Sequence, residues 1–364
     1  VEAVASTGGQ LMPPVMGTAA FLMADLSGAG YLNVAKAALL PAILYYLALL
    51  VMIHFEAVKN DLGKLSPDMV PETKSVVSRL YYLVPIAVLI LLLGMGRSVV
   101  FCANIATLSI VLLAMLKAET RFTFKSFIEA LVASSRGALM VSACCACSGL
   151  IVGVLSLTGI GYKFINVITA LAGSNLLLLM AMLMVTCIIL GMGVPTAPAY
   201  IIVATLGAPA LMKAGVPIIA AHMFVYFYAI LSVITPPVCL AAFAGAAIAE
   251  TNAMRTGVTA MKLGIVAFII PFMFVFEPAL LMQGSTTEIV TAFASALIGV
   301  IGIASGMQNW LLVRCRLWER ALLLASGLML IFPGLITDTI GLSSLLIVLF
   351  AQRLRKGGSP VAAA

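Results

Sequence analysis

The chain has 364 residues, of which 63% are hydrophobic and only 9% are charged. Soluble domains carry about 25% charged residues, so this composition, with a mean hydropathy of +1.20, predicts a polytopic membrane protein. It excludes a soluble enzyme, a secreted disulfide scaffold and a disordered protein. The net charge of +7 is spread over short connecting segments, which argues against nucleic-acid binding.

The chain begins at Val1, in a sequence typical of the interior of a structural element, and is therefore expected to be the C-terminal portion of a longer protein. Stretches of about 20 apolar residues predict membrane-spanning helices. Six are predicted, at residues 31–55, 80–95, 99–115, 138–157, 263–282 and 289–304. Residues 121–136 have one apolar and one charged face and predict a separate helix along the cytoplasmic interface. Residues 321–350, broken at Pro333-Gly334, predict a cytoplasmic hairpin of two short helices.

The distribution of basic residues predicts the orientation of the chain in the membrane. Four basic residues lie within 59–79 and four within 117–136, whereas 25–30 and 283–288 contain none. Because loops rich in Lys and Arg remain in the cytoplasm, the first two segments are expected to be cytoplasmic and the last two external.

Three apolar segments are interrupted by Gly, Pro and polar residues. Residues 176–214 are interrupted at 191–198 and predict a re-entrant hairpin that enters from the outer side. Residues 1–25 and 218–248 are each interrupted at a Pro-Pro pair, and Pro13-Pro14-Val15 matches Pro236-Pro237-Val238. The charge distribution makes these two broken helices antiparallel, which is typical of inverted-repeat transporters whose sites lie where broken helices meet.

The breaks also predict the chemistry of the site. Freed backbone carbonyls near Gly9, Gly191 and Thr235 can coordinate Na⁺, and N–H groups that begin the following half-helices can bind a carboxylate. No organic cofactor and no catalytic residue is predicted, because the sequence has no Ser/His/Asp set and no phosphate loop. The candidate substrate- and ion-binding residues are Thr7, Gly8, Gly9, Gln10, Met12, Pro13, Pro14, Gly191, Gly193, Pro195, Thr196, Ser232, Thr235, Pro236 and Pro237.

Other polar and sulfur-bearing residues are weaker candidates. His222 and Glu277 could carry a coupling proton, but a hydrogen-bonded packing histidine and an interfacial glutamate are the simpler interpretations. Cys144-Cys145-Ala-Cys147 has a CxxC spacing, yet its apolar, small-residue surroundings favour helix packing over redox chemistry.

Several of these motifs carry a resemblance to a known family. Residues 4–25, 41–46, 191–200, 221–224 and 232–238 resemble TRAP transporter permeases, specifically the fused permease of the TAXI type. The similarity extends from Val1 to about Met282 and is looser after Gln283.

The resemblance implies a secondary transporter in the cytoplasmic (inner) membrane of a bacterium or archaeon. A periplasmic TAXI-type binding protein would deliver an organic anion, such as a dicarboxylate or amino acid. Na⁺ is the usual coupling ion in the family, and H⁺ is the alternative. The implied mechanism is an elevator, in which a transport domain slides against a scaffold.

The implied organisation divides the chain into five parts. Residues 1–26 form the broken helix of the first repeat, and 27–160 the scaffold helices with the interfacial helix. Residues 161–250 form the second repeat with its hairpin and broken helix, 251–284 a further membrane helix, and 285–364 the C-terminal segments.

The chain departs from the family in two respects. It lacks the family's first hairpin. Many members also carry an Asp two or three residues after Gly191-Met192, whereas this chain has Gly193-Val194-Pro195-Thr196, which makes Thr196 the better polar candidate. Two alternatives stay open, a pore-forming channel subunit and a membrane scaffold without transport, because Pro-broken helices also line pores or serve packing.

Overall fold

A computed structural model of the chain describes residues 1–62, 73–116, 120–331 and 334–357. These residues form 17 α-helices and no β-strand, which confirms the predicted all-α polytopic membrane fold. Short 3-10 turns at Leu80–Leu83, Ser232–Ile234, Ile265–Phe268 and Pro278–Leu281 join some of them. In chain order the helices are α1 Glu2–Gly8, α2 Thr18–Ser27, α3 Tyr31–Lys59, α4 Thr73–Val77, α5 Val84–Gly94, α6 Val99–Leu116, α7 Phe124–Thr158, α8 Ile160–Ala172, α9 Leu176–Gly191, α10 Thr196–Lys213, α11 Ile218–Leu231, α12 Leu240–Ile248, α13 Ala253–Leu263, α14 Ile270–Phe276, α15 Thr286–Gln308, α16 Leu317–Met329 and α17 Leu335–Gly357.

Four helices in the described part of the chain are long and apolar enough to cross a membrane, or up to six if two bent pairs each count as one span. Three of the four, α3, α6 and α15, confirm the spans predicted at 31–55, 99–115 and 289–304. The fourth corresponds to α17, where only a short helix of a hairpin was predicted. Pro333 of that hairpin, and Lys64 and Lys117 of the basic loops, lie outside the described residues.

Two predicted boundaries are wrong. Residues 263–282 are not one helix, because α13 ends at Leu263 and the chain continues through 3-10 turns and the short α14, bent by 63° from α13. Pro271 and Pro278 lack the N–H groups that a continuous helix needs. Conversely, the separate interfacial helix at 121–136 is not observed, because α7 runs unbroken from Phe124 to Thr158. Its first glycine, Gly137, weakens a helix by only about 1 kcal/mol and does not end it.

Helix α11 lies at the centre of the fold. Every side chain from Ala220 to Leu231 is buried, as expected of a helix that is apolar on all sides. It packs against α2, α9, α10 and α14. The elements that contain the predicted breaks and the hairpin are therefore assembled around one buried helix.

The last three helices form a tightly packed unit against α3. Helix α15 packs on α3 and on α16, and α16 packs on α17. Glycines allow the close approach: a Cβ on Gly327 would lie 2.6 Å from the Gly299 carbonyl oxygen. The loop between α15 and α16 is held by Gln352 of α17, whose side-chain oxygen accepts from the N–H of Leu312 at 3.0 Å.

Glu319 is the buried ionic group of this unit and is 1% exposed. Its carboxylate pairs with the Arg355 guanidinium at 3.1 Å and accepts from the Gln352 amide at 2.9 Å and the Arg316 N–H at 2.8 Å. Burial alone would raise the pKa of this carboxyl, but the three partners together hold the pKa below its ordinary value.

Replacing Glu319 should therefore destabilise the protein in a pH-dependent way. We expect Glu319→Gln to cost about 1.5–3 kcal/mol at neutral pH, the usual value of hydrogen bonds to a charged group. A lowered pKa stabilises the fold above the ordinary carboxyl value and ceases to do so as pH falls through the folded value. Thermal unfolding in detergent at pH 7 and in acid tests this. Glu129→Gln, which removes a carboxylate from an exposed pair with Lys125, is the control and should change little.

Candidate ion and substrate site at two helix breaks

The two broken helices lie side by side and antiparallel, as predicted. Helix α1, the first half of one, packs against α12, the second half of the other, and α2 packs against α11. The Pro13–Pro14 and Pro236–Pro237 peptide bonds are both cis. Gly264 packs between the two broken helices: a Cβ there would be 3.1 Å from Ile234 of the second break and 3.5 Å from Val4 of α1.

The first break leaves backbone carbonyls without helical donors. Pro13 and Pro14 have no N–H, so the carbonyls three and four residues earlier need other partners. The Gln10 carbonyl accepts from the Gly17 N–H at 3.0 Å and from the Tyr226 hydroxyl of α11. The Gly9 carbonyl has no hydrogen-bond donor among the described residues.

The second break repeats this arrangement. Pro236 and Pro237 remove the donors that the carbonyls of Ser232 and Val233 would have in a continuous helix. The Ser232 carbonyl accepts instead from the Thr235 N–H at 3.2 Å. In the described part of the chain, the carbonyls of Val233 and Ile234 have no hydrogen-bond donor. Each break therefore offers free carbonyl oxygens, at an exposed residue in the first break and at buried residues in the second, and such oxygens can coordinate a small cation.

The hydroxyl groups at the breaks have already donated their protons. Thr7 donates to the Ala3 carbonyl at 2.7 Å, Ser232 to Ala229 at 2.8 Å, and Thr235 to Leu231 at 2.7 Å. All three residues are buried. A hydroxyl whose proton is committed to a carbonyl offers only lone pairs, so these groups suit a cation better than an anion.

The hairpin of α9 and α10 brings its tip onto the second break. Gly193 has a φ of +75°, which turns the chain between the two helices. A Cβ on Gly191 would lie 2.6 Å from the Ser232 Oγ, and one on Gly193 would lie 3.4 Å from Val238. The structure thus places Gly191 and Gly193 against the second break, whereas Pro195 is exposed.

Three half-helices begin beside these elements without a side-chain cap. They are α2 after the first break, α10 after the hairpin tip and α12 after the second break. The Thr196 hydroxyl at the start of α10 is half-buried and has no hydrogen-bond partner among the described residues. Uncapped N-termini present free N–H groups and the positive end of the helix dipole, which attract anions.

Tyrosines that the sequence interpretation missed hold the first broken helix in place. Tyr45 and Tyr46 of α3 donate to the carbonyls of Val4 at 2.6 Å and Ala5 at 3.0 Å, and Tyr31 donates to Pro14 at 2.6 Å. A buried tyrosine needs a hydrogen-bond partner for its hydroxyl. The presence of three tyrosines in the apolar helix α3 could therefore have indicated that this helix bonds to another backbone segment. The position of the Tyr45 ring also explains why residue 8 is a glycine, because a Cβ there would clash with this ring.

The Tyr226 hydroxyl connects α11 to the first break, and its removal should be measurable. We expect Tyr226→Phe to cost about 1 kcal/mol, because the Gln10 carbonyl keeps only its bond to Gly17. Thermal unfolding of the purified protein checks this. Tyr162→Phe is the matched control, because the Tyr162 side chain is 74% exposed. Equal unfolding temperatures for both variants would contradict the assigned role.

The two candidates for proton coupling lie away from the breaks. The His222 Nδ1 is 2.7 Å from the Tyr200 hydroxyl of α10, and the Tyr200 ring packs edge-on against Tyr226. Glu277 accepts from the Ala279 N–H at 3.2 Å and lines a separate cavity beside α15. The structure therefore links His222 to the first break only through two tyrosines and does not bring Glu277 to the site.

The CxxC segment offers no built redox site. Cys145 is half-buried, Cys147 is exposed, and both are free thiols. The side chain of Cys144 lies outside the part of the chain that the structure describes. Of the other described cysteines, Cys102, Cys187, Cys239 and Cys315 are buried and free.

Apolar helices, two antiparallel broken helices and a hairpin tip at one of the breaks are typical of membrane transport proteins. Residues 1–289 match the family model described as the tripartite ATP-independent periplasmic transporter, DctM component, and the chain belongs to this family. Residues 289–344 match a domain of unknown function, DUF3394. No curated protein matches the chain significantly.

The family membership confirms the resemblance to TRAP permeases. The protein is a multi-pass membrane permease subunit of a TRAP transporter. The family is one of transporters rather than enzymes, and it implies a periplasmic substrate-binding partner.

Proposed function

We propose that this permease imports an organic anion by a Na⁺-coupled elevator mechanism as part of a TAXI-type TRAP system. The anion would be a dicarboxylate, an amino acid or a similar compound, delivered by a periplasmic TAXI-type binding protein. The membrane would be the cytoplasmic (inner) membrane of a bacterium or archaeon. The observation that carries the proposal is the pair of antiparallel breaks, each with unpaired carbonyls.

The proposed Na⁺ ligands are oxygens at these breaks. Na⁺ favours carbonyl and hydroxyl oxygens, and unwound segments of transporter helices supply them. Free carbonyls at Gly9 and at Val233 are accompanied by the lone pairs of Thr7, Ser232 and Thr235. The Gly191 carbonyl is the third proposed ligand. Gly191 packs on Ser232, and its carbonyl also accepts from the Val194 N–H at 3.4 Å.

The proposed anion site is formed by the helix N-termini rather than by a basic side chain. The uncapped starts of α2, α10 and α12 can donate N–H groups to a carboxylate. Thr196 can add its uncommitted hydroxyl proton. The proposed cation ligands and anion donors are therefore different groups that belong to the same broken helices and hairpin. Because the two sites share these elements, binding of one ion can favour binding of the other.

The hydrogen bonds between α3 and the first broken helix constrain the proposed elevator. If α3 belongs to the scaffold within residues 27–160, a sliding motion must exchange the bonds from Tyr31, Tyr45 and Tyr46. If these bonds persist, α3 moves together with the transport domain. The surface along which the transport domain slides then lies on the side of α3 that faces away from the first broken helix.

Uptake into proteoliposomes tests the proposed function. The permease would be reconstituted with its binding protein, under an inward Na⁺ gradient or an inward proton gradient. We expect saturable uptake that requires Na⁺. Uptake driven only by protons would move coupling to His222 and its bond to Tyr200. Uptake without saturation would indicate a channel, and no uptake under either gradient would favour a scaffold.

A further inference from the structure

A second candidate site lies near the C-terminal end of α3. Where the C-terminal ends of α3, α13 and α15 meet α16, the chain forms an open cavity of about 380 Å³. Sites for small molecules typically have volumes of about 300–1,000 Å³. The helices belong to both matched regions, since α3 and α13 lie within residues 1–289 and α16 within 289–344.

The walls of this cavity carry a net positive charge. Lys59, Lys262 and Arg320 line it together with one carboxylate, Glu56, which pairs with Lys59 at 3.8 Å. Three positive charges and one negative charge leave an excess of two positive charges. Lys59 begins the basic segment 59–79 that is expected to be cytoplasmic, and in that orientation the cavity would lie at the level of the inner-leaflet headgroups.

Gln308 supplies an independent indication of a ligand. Its side chain is 8% exposed and lines the cavity, and no residue in the described ranges hydrogen-bonds to it. The Gln308 amide therefore faces the cavity, and a polar group that has no protein partner there binds water or a ligand. The Gln308 amide can donate two hydrogen bonds into the cavity.

The positions of the basic residues have a partial structural explanation. Lys59 and Lys262 lie in the last turns of α3 and α13, where cations complement the helix dipole. The Arg320 Nε donates to the Gly306 carbonyl near the end of α15 at 2.8 Å. This explains the position of each basic residue separately. It does not explain why all three line the same cavity together with a glutamine side chain that has no partner among the described residues.

We propose that this cavity binds a phosphate group, such as that of an anionic phospholipid headgroup, between the transport region and the C-terminal unit. Lys262 and Arg320 would pair with the phosphate oxygens, and Gln308 would donate to one of them. A bound headgroup would thus join α13 to α15 and α16.

Native mass spectrometry of the purified permease in detergent tests the proposal. The probes are phosphatidylglycerol, zwitterionic phosphatidylcholine and inorganic phosphate. The variants are Lys262→Gln and Gln308→Leu, with Lys59→Gln as the substitute if either fails to fold. Arg255→Gln is the matched control, because it removes the same charge from the same helix, α13, but does not line the cavity.

We expect phosphatidylglycerol to bind more tightly than phosphatidylcholine and Lys262→Gln to weaken its binding about fivefold, the usual effect of one basic residue near a membrane surface. Competition by inorganic phosphate would also support the site and identify a soluble source of the group. Equal binding of both lipids, or an equal loss in Arg255→Gln and Lys262→Gln, would overturn the proposal.

Discussion

Gly191→Ala is expected to reduce substrate uptake by on the order of tenfold or more. The added Cβ would lie 2.6 Å from the Ser232 Oγ and 3.0 Å from its Cβ, so the hairpin tip could no longer rest on the second break. Inserting a methyl group into such a contact costs about 1–3 kcal/mol, and 1.4 kcal/mol corresponds to a tenfold change. Initial uptake rates in proteoliposomes measure the effect.

Gly245→Ala is the control for this substitution. Gly245 lies within α12, close in sequence to the second break, and a Cβ there would have no atom within 4 Å. The control should transport normally and unfold at an unchanged or slightly higher temperature, since Ala favours helix over Gly. If Gly191→Ala also transports normally, the contact between tip and break has no role in transport.

Replacing both prolines of the second break, Pro236→Ala with Pro237→Ala, should abolish Na⁺-dependent uptake while leaving a folded protein. Two new N–H groups would become available to the carbonyls of Ser232 and Val233, four residues earlier. The break would then tend to close into helix, and the carbonyl oxygens would be lost to a cation. Uptake and thermal unfolding, measured on the same preparation, separate loss of function from loss of fold.

Pro209→Ala provides the comparison for the double variant. Pro209 lies inside α10, is exposed, and is remote from both breaks in sequence. Its replacement also adds an N–H group to a helix, but at a position without a break. Na⁺-dependent uptake should persist in Pro209→Ala. If Na⁺-dependent uptake also persists in the Pro236/Pro237 variant, the free carbonyls of the second break have no role in transport.

The breaks and the hairpin could be predicted because their signals are local. Pro-Pro pairs and Gly-rich segments interrupt helices wherever they occur, and the charges of the adjoining loops fix direction. The contact between Gly191 and Ser232 could not be predicted, because it joins a hairpin tip to a break about 40 residues away. Nothing in either local sequence specifies the partner.

The tyrosines were missed for the same reason. Tyr45 donates to Val4 across 41 positions, and Tyr226 donates to Gln10 across 216. The errors in helix boundaries have a different cause. In α7, the amphipathic and apolar segments form one continuous helix because no proline separates them. Residues 263–282 were predicted as one helix from their apolar composition alone, without regard to the prolines that interrupt them.

The most direct test of the proposed ion site is the Na⁺ concentration that gives half-maximal uptake in Thr235→Val. This variant keeps the side-chain shape and removes one oxygen at the second break. Thr205→Val is the control, because the Thr205 hydroxyl makes an equivalent bond to the Ile202 carbonyl within α10, outside both breaks. We predict a clear rise in the required Na⁺ concentration for Thr235→Val and none for Thr205→Val. An unchanged Na⁺ requirement in Thr235→Val would contradict the placement of the cation at the helix breaks.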